Sequence, residues 1–345
     1  MKPVSDHVDA AYMECALTLA ARGLGRTSPN PCVGAVLVRG RKILGQGWHR
    51  RAGSAHAEVL ALRQAVRRGH STRGATLYVT LEPCCTHGRT PPCTGAILAA
   101  GIQRVVVAAT DPNPAHAGRA YRILRKAGVT VTTGVLARQS AALNRSFNHW
   151  ITTGRPWVVG KAAFSLDGKM TRPDGKQWLT SATARRDAHR LRATCDAILI
   201  GAGTARHDDP RLNVRDSRLP SGRLQPWRVI VTRSGRLPRH LHLITDAQKD
   251  RTLIYRHQSW SRVLKDLGKR GVTRLLVEGG GEVLDDLARK GLIQESIHYY
   301  APFHFHNNRK LVSADRFRAL PLQNTRLTTL GPDLKLEGIV ASFKT

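Results

Sequence analysis

His56-Ala57-Glu58 precedes Glu82-Pro83-Cys84, and Cys93 follows after eight intervening residues. One imidazole and two thiolates suit a tetrahedral zinc whose fourth position stays open to water. Zinc in such a site makes hydroxide available near neutral pH. Glu58 stands two residues beyond the histidine, at the same helix start, and need not bind the metal. It can take the proton of the water and pass it to a ring nitrogen and then to departing ammonia. These residue types at this spacing point to hydrolytic removal of an amino group from a nucleobase-like ring. The competing arrangement is a closed zinc knuckle of His56, Cys84, Cys85 and Cys93. Adjacent Cys84 and Cys85 fit it poorly, because neighbouring side chains on an extended backbone diverge. A closed site also has no use for Glu58, so Cys85 reads as a small loop residue.

The spacing between the zinc cysteines is a second signal. Deaminases of nucleosides and nucleic acids place two residues there, whereas Cys85 to Pro92 makes a loop able to reach over a pocket. Gly88 permits a tight turn, Pro91-Pro92 stiffens the return, and His87 and Arg89 are placed to contact substrate. Pro29-Asn30-Pro31-Cys32-Val33-Gly34, His56-Ala57-Glu58-Val59, Thr80-Leu81-Glu82-Pro83-Cys84, Gly88-Arg89-Thr90-Pro91-Pro92-Cys93 and Asp111-Pro112-Asn113-Pro114 carry a resemblance. Residues 10–150 resemble the bifunctional diaminohydroxyphosphoribosylaminopyrimidine deaminase and aminophosphoribosylaminouracil reductase family of riboflavin biosynthesis. The resemblance implies a cytidine-deaminase-like fold, zinc on His56, Cys84 and Cys93, and Glu58 as proton donor. It also implies that Asn30, His49 and Arg89 hold the pyrimidine or its ribose phosphate. Thr86 departs from the family, which commonly has a histidine there.

The second half carries further matches. Lys161 to Lys169 reads by itself as a strand running into a loop. With Gln177 to Ser181, Arg185-Arg186-Asp187, Leu191-Arg192 and Gly203 to Arg215, it resembles the reductase half of the same family, whose fold is dihydrofolate-reductase-like. Val277-Glu278-Gly279-Gly280-Gly281 leads from a strand into a helix, where glycine N–H groups can cradle a phosphate. Glu282, Asp285 and Asp286 suit the helix dipole there but repel a phosphate. By resemblance, Ala163, Trp178, Thr204, Asp208, Gly280, Gly281, Glu282, Val283 and Leu284 line an NADPH site. Lys176, Arg192, Leu212, Arg215 and Glu278 are the matching substrate positions, Lys176 standing where the family has a serine. Two guanidinium forks match the oxygens of a ribose 5′-phosphate. Lys161 and Glu278 are candidates to steer charge or protons during hydride delivery to the ribose C1′. The tail Phe303-His304-Phe305-His306-Asn307-Asn308 lacks the family's usual Pro-x-x-Leu-Gly run.

The elements that must position these groups alternate. Helices are expected at Val8–Ala21, Ala57–Arg67, Thr94–Ala100 and Tyr121–Ala127. Strands fall at 33–38, Thr76–Leu81, Arg104–Ala109 and Val129–Val135, which indicates a three-layer α/β domain. Asn144 to Pro156 reads as a linker, which divides the chain into 1–145, a linker at 146–156, and 157–345. The second series has strands at Trp157–Ala163, Ala197–Gly201, Arg228–Thr232, Thr252–Tyr255, Arg274–Glu278, Ser296–Ala301 and Leu334–Phe343. Helices at Ala182–Thr194, Ser259–Arg270 and Gly281–Gly291 fall between them. Phe303 to Asn324 carries no clear pattern.

The chain of 345 residues is long enough for two domains. Its 41 % hydrophobic content supplies ordinary cores. No run approaches the roughly 20 apolar residues of a membrane span, and residues 1–12 hold no apolar signal core, so a cytoplasmic location is expected. The six cysteines then point to metal binding over disulfides. The net charge of +31 raises nucleic acid as a partner. The excess is spread evenly over both halves with no basic tail, which fits a general arginine preference or phosphorylated substrates. The expected function is deamination of 2,5-diamino-6-ribosylamino-4(3H)-pyrimidinone 5′-phosphate followed by NADPH reduction of the ribosyl group. The expected partners are phosphorylated small molecules and further copies of the chain in a homo-oligomer, with no specific nucleic acid and no membrane. Two alternatives stay open: a deaminase whose C-terminal domain binds ligand without reducing it, and a nucleic-acid deaminase.

Overall fold

Period-two alternation of apolar residues organises the first 154 residues. The computed structural model describes residues 4–87, 91–215, 224–306, 308 and 310–341, and it divides into two units, Met1–Gly154 and Arg155–Thr345. In the first, α1 (Val4–Ala21) precedes β1 (Gly34–Arg39), β2 (Lys42–Trp48), α2 (Ala57–Arg67), β3 (Thr76–Leu81), α3 (Cys93–Ala99) and β4 (Arg104–Ala109). Then come α4 (Arg119–Lys126), β5 (Thr130–Thr133), α5 (Ala137–Leu143) and α6 (Arg145–Thr153). The strands form one sheet in the order β2-β1-β3-β4-β5. β1 is antiparallel to β2 and β3, while β3, β4 and β5 run parallel.

Ala35, Leu37, Leu77, Val79, Val105 and Val107 face one way and bury against Ala57 and Ala61 of α2, Ile97 of α3 and Leu124 of α4. Val36, Val38, Tyr78, Val106 and Ala108 face the other way, against Met13, Ala16 and Leu19 of α1. The result is the expected three-layer unit. Strand β2 had no place in the sequence reading because Gly45 and Gly47 interrupt its apolar pattern. A Cβ at these positions would lie 2.2 Å from the Ala61 carbonyl oxygen and 2.4 Å from that of Ala57. Glycine lets α2 lie directly on the strand, and α2 carries the chemistry.

The stretch expected as a linker, 146–156, is mostly helix. Residues 145–153 form α6, and the break between units falls at Gly154 and Arg155. Gly154-Arg155-Pro156, expected to close a linker, terminates a helix, with Gly154 in the left-handed region.

The second unit contains β6 (Trp157–Ser165), α7 (Ala182–Arg192), β7 (Ala197–Gly201), α8 (Ala202–Asp208), β8 (Trp227–Thr232), α9 (His242–Thr245) and β9 (Thr252–Arg256). There follow α10 (Trp260–Lys269), β10 (Arg274–Val277), α11 (Gly281–Arg289), β11 (Glu295–Ala301), α12 (Asp315–Arg318), β12 (Leu322–Leu330) and β13 (Asp333–Val340). The sheet order is β12-β13-β11-β6-β10-β7-β8-β9. From β11 to β9 all neighbours are parallel, and β12 and β13 add an antiparallel edge. The parallel strands other than edge strand β9 are largely buried. Val158, Leu199, Leu275 and Val277 meet α10 and α11 on one side, and Val159, Ile198, Ile200 and Leu276 meet α7 and α8 on the other. The unpatterned stretch from Phe303 to Asn324 holds α12 and the start of β12. No helix among the described residues is long and apolar enough to cross a membrane.

Candidate active sites

Three donors converge in the first unit. His56 is the N-cap residue of α2, Cys93 opens α3, and Cys84 lies just beyond the end of β3. Their ligand atoms all lie within 4.8 Å of one another. Cys84 Sγ and Cys93 Sγ stand 3.4 and 3.3 Å from His56 Nδ1, and the Cys93 amide donates to Cys84 Sγ at 3.2 Å. Cys85 is not part of this group, so the described residues form the open three-donor set and not the four-donor knuckle. Glu58 is 3 % exposed, and its Oε2 has no hydrogen-bond partner among the described residues. Burial, and then the neighbouring Cys84, push its carboxyl above the usual range. A buried, unpaired carboxylate oxygen beside soft donors suits a group that meets a ligand. The donors fit zinc, and Glu58 fits a water beside it.

Two other expected residues join this centre. Asn30 Nδ2 and His49 Nε2 are 3.0 Å apart, and the His49 ring meets that of His56 edge-on at 5.1 Å. His49 is almost wholly buried, and that burial lowers its pKa. The neutral ring therefore accepts from the Asn30 amide through Nε2. Arg89, the third expected contact, lies outside the described residues.

Two positioning residues escaped the sequence reading. The Asn144 side chain receives the Cys32 amide at 2.8 Å and donates to the Cys32 carbonyl at 2.9 Å. It pins the Pro29–Cys32 segment from 112 residues away. The Glu82 carboxylate accepts from the amides of Asp111, Gly118 and Ala120 at 3.2, 2.9 and 3.0 Å. It thereby ties the Asp111–Gly118 loop to the strand end that bears Cys84. Glu82 stood within a recognised motif, but nothing in its spacing told where its oxygens would go.

In the second unit a groove opens beyond the carboxyl ends of β7, β8 and β10. Of the expected residues, Lys176, Thr204, Asp208, Glu278, Gly280, Gly281, Glu282 and Val283 line it. β7 leads onward to β8 and β10 to β11, in opposite directions across the sheet, so the groove sits at a topological switch point, where open parallel sheets bind ligands. Thr204 Oγ1 accepts from the Gly280 amide at 2.9 Å, locking the glycine turn to α8. A Cβ on Gly281 would lie 1.9 Å from the Ser313 carbonyl oxygen, so glycine is needed there for packing.

The remaining expected residues stand elsewhere in this unit. Ala163 packs against the core on the α7 side, and Leu212 and Leu284 are core residues. Trp178 is 54 % exposed under the Arg185 guanidinium. Arg192 and Glu278 form a two-pronged ion pair, with Nε–Oε1 and Nη2–Oε2 both 2.7 Å. The Arg192 fork, expected on phosphate, here pairs with a carboxylate, and Arg215 is exposed. Lys161 faces the same pair. Burial lowers its pKa while Glu278 pulls the other way. Burial would raise the Glu278 carboxyl, but Arg192, with Lys161 and His189, brings it down to about 2.

Both units match known proteins. Residues 6–109 match the cytidine and deoxycytidylate deaminase zinc-binding region, and residues 156–336 match the RibD C-terminal domain. The riboflavin biosynthesis protein RibD of Bacillus amyloliquefaciens is 40 % identical over 359 residues, covering 95 % of each chain. The chain belongs to the RibD family. Acinetobacter baumannii RibD superposes with a TM-score of 0.89 at 35 % identity, covering 98 % of this chain and 100 % of that one. The deaminase/reductase of Thermotoga maritima gives 0.86 at 31 % identity with the same coverage. Like other RibD proteins, this chain is a bifunctional enzyme of riboflavin biosynthesis, with a zinc-dependent deaminase half and an NADPH-dependent reductase half. Neither alternative, a non-reducing C-terminal domain or a nucleic-acid deaminase, is better supported by these relatives.

Proposed function

We propose that the first unit deaminates the phosphoribosylated diaminopyrimidine at the Glu58 centre and that the second reduces the resulting ribosyl group in the groove above β7, β8 and β10. The observation that carries the reading is the buried, unpaired Glu58 Oε2 beside His56, Cys84 and Cys93. These three residues hold zinc, which when bound lowers the pKa of a water. Glu58 takes the water's proton and delivers it to the ring nitrogen and then to the departing amine. Water adds oxygen to the ring carbon as ammonia leaves. Asn30 orients the ring, and His49, by accepting from the Asn30 amide, holds Asn30 in place.

In the second unit NADPH, when bound, supplies hydride. Glu278 is ionised at neutral pH and provides fixed negative charge. Lys161, whose proton is loosened by burial, is the group able to give one to the opening ribose. Arg192 positions Glu278, and Arg215 meets the substrate phosphate. Phosphorylated substrates do not cross membranes unaided, which fits a cytoplasmic enzyme. A homo-oligomer is the proposed assembly, with exposed Leu327 and Leu334 on β12 and β13 as candidate contacts.

Glu58→Gln tests the reading. Zinc content and circular dichroism should stay as in the wild type, while ammonia release falls by about 10²–10⁴-fold. Near-normal ammonia release would remove Glu58 from the mechanism.

A further inference from the structure

Lys161 stands on β6 between Val159 and Ala163, which pack on the α7 side of the sheet. In the neighbouring strand β11, Ile297 pairs with Lys161 and Tyr299 with Ala163. Alternation along a strand puts all of these side chains on the same face. There Lys161 Nζ lies 5.4 Å from the centroid of the Tyr299 ring, inside the roughly 6 Å at which an aromatic face attracts a cation. Tyr299 is 1 % exposed, so water competes little for that contact.

The ring is anchored at its far end. Tyr299 Oη donates to Asp187 Oδ2 of α7 at 2.7 Å, and Lys335 Nζ of β13 meets the same oxygen at 3.1 Å and Glu337 at 2.7 Å. Lys335 offsets the Asp187 charge, so this carboxylate holds the hydroxyl without drawing Lys161 away from Glu278. Burial, and then Asp187, push the Tyr299 phenol up. It keeps its proton and is no acid itself.

The charged groups that face Lys161 directly are Glu278 from β10 and Arg192 from α7, and Asp187, Lys335 and Glu337 bear on it by way of Tyr299. Burial opposes the ammonium form, and Glu278 supports it. Both Glu278 oxygens already accept from Arg192, so the carboxylate offers Lys161 less than a free one would. We propose that Tyr299, anchored by Asp187, is a positioning residue of the reductase half whose ring face keeps the Lys161 ammonium in place beside Glu278. A second carboxylate there would accept the proton; a ring stabilises the charge and leaves the proton free to be transferred.

The proposal rests on Lys161 as the proton donor, and the test separates the two. Reduction of the deaminated phosphoribosyl substrate by the full-length chain is followed as NADPH consumption, with both reactants saturating. The profile runs from about pH 6 to 10, up to the ordinary lysine range. Wild type is compared with Tyr299→Phe, with a chain carrying trifluorophenylalanine in place of Tyr299, and with Lys161→Met. Fluorination keeps the ring's shape and packing but strips negative charge from its face. The ring favours the charged lysine, so weakening it lowers the Lys161 pKa. The alkaline fall in kcat should then move down by about 0.5 to 1 pH unit, the worth of one such contact. Tyr299→Phe should keep kcat within about twofold and the alkaline fall where it is in wild type. Equal profiles for the phenylalanine and trifluorophenylalanine chains would show that the ring face does not hold the charge. A loss of more than about tenfold in Tyr299→Phe would make the hydroxyl itself the active group and overturn the positioning role. Lys161→Met should lose about 10²- to 10⁴-fold in kcat, and near-normal reduction by it would overturn the donor reading on which the proposal stands.

Discussion

Replacing Arg192 with Met tests the charge arrangement of the reductase half. The Glu278 side chain is 9 % exposed and that of Arg192 15 %, so solvent screens the pair little. Holding the Glu278 carboxyl at about 2 instead of 4.5 corresponds to about 3 kcal/mol at 1.36 kcal/mol per tenfold. That is the low end of the roughly 3–5 kcal/mol lost when one partner of a buried pair is removed, as expected with Lys161 still facing the carboxylate. A carboxyl lowered in the folded state stabilises it fully above pH 4.5, and the contribution is lost as pH falls through 2. Urea unfolding of the full chain at pH 7 should therefore show Arg192→Met less stable by about 3 kcal/mol. The gap should shrink to roughly half by pH 3. A gap that is absent at pH 7, or unchanged at pH 3, would refute the coupling of Arg192 to the Glu278 charge.

Other outcomes follow from the same geometry. Cys93→Ser should lose most of its zinc by metal analysis and Cys85→Ser should keep it, while equal loss in both would undo the ligand assignment. Arg215→Met should raise the reductase KM for the phosphorylated substrate by about 10- to 100-fold with little change in kcat, as for loss of a charge-assisted contact. An unchanged KM would move the phosphate site elsewhere. Gly281→Ala forces a Cβ to within 1.9 Å of the Ser313 carbonyl oxygen and should cost about 1–3 kcal/mol. Thermal unfolding should show the loss together with weakened NADPH binding, while ammonia release stays intact; unaltered NADPH binding would detach that turn from the cofactor site.

The zinc donors and Glu58 stood out in the sequence because their residue types and motif spacing are read directly along the chain, although 28 and 37 residues separate His56 from the two cysteines. Most strands and helices were legible for the same reason, since burial on one or both faces imprints a period. What the sequence hid are the effects of distant chain. β2 was invisible because its glycines answer to α2, and α6 because Gly154 and Pro156 mark a helix end as readily as a loop. Asn144 and Glu82 act on backbone amides far along the chain, which side-chain identity does not announce. Arg192 looked like a phosphate ligand because an arginine fork fits a phosphate and a carboxylate equally well, and only the fold shows Glu278 filling it. Leu212 and Leu284 lie within matched motifs, yet their side chains serve the core.

The hold of Asn144 on Cys32 also orders events while the chain is being made. The segment that presents Asn30 is built early, but it cannot settle until residue 144 has left the ribosome, by which time almost the whole first unit is synthesised. Contacts of such long sequence separation form late because loop closure must be offset before they are rewarded. A nascent deaminase half therefore carries its zinc donors well before it can grip a substrate. Release from the ribosome anywhere short of α6 leaves a chain with the metal site encoded and the substrate side unfinished.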